Sequence, residues 1–78
     1  MNSLQIVKLI QDGLPGSLVT VSSEDDVHFD AVVISAAFAG KRAVQRHRLV
    51  YAALGDKMVN EIHALALQVL TPDEAGRV

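Results

Sequence analysis

Cysteine is missing from these 78 residues, and so is tryptophan. Without cysteine there is no disulfide framework and no thiolate ligand, so packing must hold the fold and any metal site must draw on histidine or carboxylate. Aromatics are nearly absent as well: Phe29, Phe38 and Tyr51 are the whole supply, which leaves Ala, Val, Leu and Ile to build the core. The longest apolar run, "AVVISAAFA" from Ala31 to Ala39, falls far short of the roughly 18 residues of a membrane span. No basic segment precedes an apolar one at the N-terminus, so no signal peptide is expected and the cytoplasm is the default location. Ser22, Ser23 and Ser35 lack the context of an activated nucleophile, and no phosphate-binding loop occurs, so the chain is not expected to be an enzyme. No linker, repeat or low-complexity segment divides residues 1–78, which therefore read as one small domain burying about 60% of its unfolded surface.

What is present is unevenly distributed. The formal net charge is −2, yet five of the seven Lys and Arg residues (Lys41, Arg42, Arg46, Arg48, Lys57) fall between 41 and 57, and Glu24, Asp25, Asp26 and Asp30 make the densest acidic stretch. Opposite charges thus sit on different elements. Lys41, Arg42, Arg46 and Arg48 define a basic surface, either simply solvated or turned toward a partner protein or nucleic-acid phosphates.

Hydrophobic spacing supplies the elements. Ser3 is a plausible N-cap for a helix carrying Ile6, Val7, Ile10 and Leu14, ended by Gly13 and Pro15. "SLVTVSS" and "HFDAVVISAAF" read as two strands joined by the acidic loop, the second longer and more buried. Gly40 makes a turn, and a helix follows with positions 44, 47, 50, 51, 54 and 58 on one stripe. That stripe places His47 and Tyr51 against the core as structural residues, with Arg46 and Arg48 outside it. "EIHALALQVL" reads as a third strand, apolar on both faces and therefore internal or covered on both sides. Thr71, Pro72 and Glu74 form an N-cap, a first-turn proline and a capping box, so a short last helix begins at 71. "GLPG" at 13–16 has the form of a nucleic-acid-binding GxxG loop, but helix termination accounts for both glycines.

The order is helix, strand, strand, helix, strand, short helix, an α+β domain with strands one and two antiparallel and strands two and three parallel across the helical crossover. Under that topology the starts of strands two and three, with His28 and His63, meet at one end of the sheet beside the acidic loop. Neighbouring strands lie about 4.8 Å apart, close enough for two imidazoles to share a ligand if their faces agree. His28 also admits the plainer reading of a solvated turn residue held by a carboxylate, and His63 that of a structural histidine.

The stretches "FAGKRAVQRHRLVYAAL" and "IHALALQVLTPDE" resemble the BolA family, in its short bacterial IbaG/YrbA-like subgroup. Phe38, Gly40, Arg46, His47, Arg48, Val50, Tyr51 and Leu54 stand at the family's spacing, continued by His63, Ala64, Thr71 and Pro72, and the likeness runs from about Leu4 to Glu74. The resemblance implies an α-β-β-α-β(-α) fold, a three-stranded mixed sheet with helices on one side, similar to a type II KH domain. It further implies a heterodimer with a monothiol glutaredoxin that bridges a two-iron, two-sulfur cluster, with His63 as the ligand from this chain. The partner's cysteine and glutathione would supply sulfur, since one or two imidazoles cannot hold such a cluster alone. The family's second ligand is a Cys or His of the loop between strands one and two. Here "SSEDDV" contains neither, Asp25 stands near that position, and His28 is the nearest substitute. The family's usual tryptophan after "TPDE" is replaced by Ala75. BolA-like proteins are also described as DNA-binding transcriptional regulators, for which the Lys41–Arg48 surface is the candidate.

Overall fold

A computed structural model describes residues 1–57 and 64–76. Helix α1 spans Ser3–Gly13, strand β1 Leu18–Ser22, strand β2 His28–Ile34, helix α2 Ala43–Leu54, strand β3 Ala64–Leu70 and helix α3 Pro72–Ala75; a 3-10 turn, Ala36–Phe38, follows β2. The sheet order is β1-β2-β3. Strand β1 runs antiparallel to β2, with Thr20 opposite Val32, and β2 runs parallel to β3, with His28 opposite Ala64 and Ile34 opposite Leu70. The expected α+β order and strand directions are therefore those observed.

The N-cap of α1 is Asn2, one residue earlier than expected. Asn2 Oδ1 accepts the Gln5 amide and Gln5 Oε1 accepts the Asn2 amide. A cap needs a polar residue three positions on to return the bond, and from Ser3 that position is Ile6, which has no acceptor. Helix α1 presents Ile6 and Ile10 to the sheet, and they meet Phe29, Val33, Phe38, Val50, Leu54 and Val69 in one core.

Strand β2 takes the centre of the sheet, and its alternation is clear: Phe29, Ala31 and Val33 are buried while His28 and Asp30 are exposed. Among the described residues, α1 and α2 pack on the Phe29 face, through Ile6, Ile10, Val50 and Leu54. Two expectations are corrected here. The second strand does not continue to Phe38, because the Ser35 hydroxyl accepts the Ala37 amide and opens the 3-10 turn that drops Phe38 into the core. The third strand is not internal either: β3 is an edge strand whose Ala64, Ala66 and Gln68 are exposed. Its small and apolar residues mimic a doubly covered strand, because alanines on an open face carry no polar marker.

Helix α2 is rotated relative to its expected stripe. Val50 and Leu54 are buried, but Val44 is 59% and Tyr51 39% exposed, and His47 is only half-buried. The inward face runs instead through Arg46, Val50, Ala53 and Leu54, a turn of roughly 80° about the axis when successive residues are about 100° apart. A cation takes the inner position because its headgroup finds partners there, in Glu74 and the Val69 and Lys41 carbonyls. Gly55, at φ 57°, ends the helix and lets its amide bond the Tyr51 carbonyl. Thr71, Pro72 and Glu74 start α3 as expected.

Candidate functional site

The loop between β1 and β2 turns on Asp26, the single non-glycine residue with positive φ (56°) among the described residues. The Ser23 hydroxyl holds the turn from one side, accepting the Asp26 amide at 2.9 Å and donating to the His28 carbonyl at 2.6 Å. Asp25 holds it from the other. Its Oδ1 accepts the amides of Val27 and His28, each at 2.9 Å, while Oδ2 lies 2.8 Å from His28 Nδ1. These donors, the His28 amide first, then its ring, then the Val27 amide, hold the Asp25 carboxyl far below the usual carboxylate range. Short polar side chains that bond the backbone two or three residues on are what stabilise such a turn.

His28 is therefore tethered at one nitrogen and open at the other. Its side chain is 71% exposed, and Nε2 has no hydrogen-bond partner among the described residues. It borders an open depression of about 340 Å³, lined also by Ser22, Ser23, Glu24, Asp25 and Asp30. A histidine whose second nitrogen is fixed by a carboxylate is the usual form of an imidazole metal ligand. The solvated, carboxylate-held reading of His28 and its reading as a ligand are thus the same geometry, with Asp25 as the holder.

His63 lies outside the described residues. The residue after it, Ala64, stands opposite His28 in the β2–β3 register. Among the described residues no group of three His, Asp or Glu side chains converges as a metal cage.

The basic residues divide. Lys41, Arg42 and Arg48 are exposed. Arg46, expected on that surface, is turned inward: its side chain is 12% exposed and bonds Glu74 Oε1 at 2.6 Å, the Val69 carbonyl at 3.2 Å and the Lys41 carbonyl at 2.9 Å. The guanidinium also lies 5.9 Å from the Phe38 ring centroid. Glu74, which in addition accepts the Thr71 amide, has its carboxyl drawn down to about 2, chiefly by Arg46 and then by that amide. Arg46 is thus the clasp joining α2, the end of β3 and α3. His47 and Tyr51, expected inside, instead meet edge to face on the flank of α2, with ring centroids 6.1 Å apart. Gly40 serves as expected, its φ of 74° making the turn before α2.

Sequence reasoning overlooked Ser23 and the role of Asp25. The "S-x-D" spacing at the head of the loop was a readable signal for a side-chain-bonded turn. The Arg46–Glu74 pair, by contrast, spans 28 positions and had none.

An antiparallel-then-parallel three-stranded sheet, helices packed on its Phe29 face, and an acidic hairpin that leads into His28 at the sheet end define a small α+β domain. Comparison with known proteins specifies the family: residues 8–74 match the BolA-like protein family, and the chain belongs to it. A solved bolA homologue from Coxiella burnetii is 45% identical, with TM-score 0.88 and 99% of each chain covered. A Vibrio cholerae protein named as the DNA-binding transcriptional regulator BolA is 38% identical over 88% of this chain and 74% of its own. BolA-like protein 1 of Pongo abelii is 43% identical over 51 residues, 65% of this chain, which spans just 37% of that relative's length.

Proposed function

We propose that this protein is an adaptor that pairs with a monothiol glutaredoxin and shares a two-iron, two-sulfur cluster with it, in iron–sulfur trafficking or iron sensing. His63 is the first ligand from this chain and His28 the second. The observation that supports the reading is the tethered, outward-facing His28 ring opposite the residue that follows His63. The donor chemistry is compatible: imidazole binds iron, and a chain with no cysteine must take its sulfur ligands from a partner and glutathione. When bound, the cluster supplies iron positions that accept imidazole nitrogen. The chain's own part is to present His28 Nε2 at the sheet end and to hold Nδ1 on Asp25.

The test is anaerobic reconstitution with a monothiol glutaredoxin and glutathione, followed by visible absorption and circular dichroism. His63→Ala should abolish or reshape the cluster spectrum, and His28→Ala should alter it. Indifference to His63→Ala would end the ligand assignment.

A second reading, a DNA-binding transcriptional regulator, draws on the name of the Vibrio relative and on the exposed Lys41, Arg42 and Arg48.

A further inference from the structure

We infer that Asp25 is a positioning residue that fixes the neutral His28 ring as the Nδ1–H tautomer, leaving Nε2 as a bare lone-pair donor facing the depression at the sheet end. The inference deepens the cluster reading and rests on it for what would finally take that nitrogen. The tautomer itself follows from the geometry alone.

Oδ1 of Asp25 is fully engaged by two backbone amides, so the only atom left to face the ring is Oδ2, 2.8 Å from Nδ1. A carboxylate oxygen can only accept, so the hydrogen in that contact must sit on Nδ1. A neutral imidazole carries one N–H, so Nε2 is then necessarily unprotonated. An unheld neutral imidazole favours the opposite arrangement, with hydrogen on Nε2, where it blocks metal binding. The loop therefore acts on the ring in two ways: it sets which nitrogen is basic, and it stops the ring from turning away. Ser23 closes the same turn, accepting the Asp26 amide and donating to the His28 carbonyl, so the backbone that carries Asp25 and His28 is itself fixed. Asp25 is thus matched to the ring rather than available as a ligand in its own right. This also gives physical sense to a hairpin that lacks Cys and His between β1 and β2: the carboxylate in the loop orients a histidine at the head of the strand.

Asp25→Asn makes a sharp test because it reverses the hydrogen bond without removing it. The asparagine carbonyl oxygen can still accept the Val27 and His28 amides, while its NH₂ now faces Nδ1 and must donate. That forces the hydrogen onto Nε2, the same logic by which an Asp-to-Asn change beside a catalytic histidine selects the wrong tautomer. The full-length protein, labelled with ¹⁵N in its histidine rings, is examined by long-range ¹H–¹⁵N correlation at pH near 8.5, with His28→Ala assigning the signals. Wild type should show protonated Nδ1 and bare Nε2 at His28. Asp25→Asn should show the reverse, with the Val27 and His28 backbone amides still protected, which a loop that had merely unfolded would not give.

Zn²⁺ alone, titrated into both proteins and read at the His28 ring signals, should bind wild type at least about tenfold more tightly than Asp25→Asn, the scale on which such orienting partners act. A wild-type ring carrying hydrogen on Nε2, or equal Zn²⁺ affinity in the two proteins, overturns the inference. Neither measurement involves a glutaredoxin or a cluster. Loss of the cluster reading in reconstitution would leave these results standing, and failure here would leave the His63 assignment to its own test.

Discussion

At the residue scale the most consequential side chain outside the loop is Arg46, because one guanidinium serves three elements. A carbonyl at the end of β3, a carboxylate of α3 and a carbonyl before α2 converge on it, above the face of Phe38. Long cationic side chains can occupy inward positions when the stem packs and the head is paired. The pair also writes itself into the pH dependence of stability. The Glu74 carboxyl is depressed from 4.5 to about 2 in the folded chain, so the stabilisation it provides is complete above about pH 4.5 and is lost as pH falls toward 2. Urea midpoints of wild type should therefore fall through that window. Glu74→Gln should flatten the fall, with unfolding of wild type taking up about one more proton there than unfolding of the variant. Curves for the two proteins should approach one another at the acid end. Parallel curves between pH 5 and 2 would show that Arg46 does not act through the charge of Glu74. The Asp25 carboxyl, also depressed, contributes in the same direction in both proteins and cancels from the comparison.

At the element scale, α1 and α2 meet at Gly13 and Ala53. A Cβ at Gly13 would lie 2.4 Å from Ala53 Cβ and 3.0 Å from its Cα, so the glycine is required by the approach of the two helices. The C-cap is Leu14, and the left-handed turn belongs to Gly16, at φ 82°. Gly13→Ala should gain about 1 kcal/mol in helix propensity and lose about 1–3 kcal/mol to overpacking, for a net loss. Adding Ala53→Gly should recover part of it, because the backbone Cα still crowds the site. Denaturant unfolding of the four proteins in the double-mutant cycle measures this, and a coupling near zero would place the contact elsewhere. Gly13 also shows where reading elements from sequence succeeds and where it stops. Element type, order and strand direction were legible because each rests on local periodicity and on capping residues such as Thr71, Pro72 and Glu74. The cause of a glycine was not, because a close approach between helices 40 positions apart leaves no local mark. The α2 stripe failed for a related reason. Val44 and Tyr51 are apolar enough to be counted inward, whereas Arg46 is drawn in by α3, which no pattern within α2 encodes. The candidate site was half legible: His28 and the sheet end followed from topology, while the Asp25 tether needed the loop conformation.

At the scale of the whole molecule, the question is what a chain of net charge −2 can do with a duplex. With Arg46 committed to Glu74, the exposed cations of the basic segment before Gly55 are Lys41, Arg42 and Arg48. Each phosphate neutralised contributes about −0.9 to the slope of log K against log salt for B-DNA, so three contacts predict a slope near −2.7 and weak binding at physiological salt. The acidic loop joining β1 to β2 adds repulsion, which opposes binding further. If DNA binding uses this segment, the triple variant Lys41→Gln, Arg42→Gln, Arg48→Gln should remove both the affinity and the slope. The fold should be untouched, because none of the three headgroups is part of the Arg46 clasp. Fluorescence anisotropy with a labelled duplex between about 50 and 200 mM salt measures both quantities. A steep slope near that of six or more contacts, or a slope unchanged in the triple variant, would move the phosphate contacts off α2 altogether. Either result bears on how the two readings could coexist. The His28 depression and the basic segment draw on different residues, so a glutaredoxin at the sheet end and a duplex on α2 would compete only if the partner's footprint extended to Arg42 or Arg48.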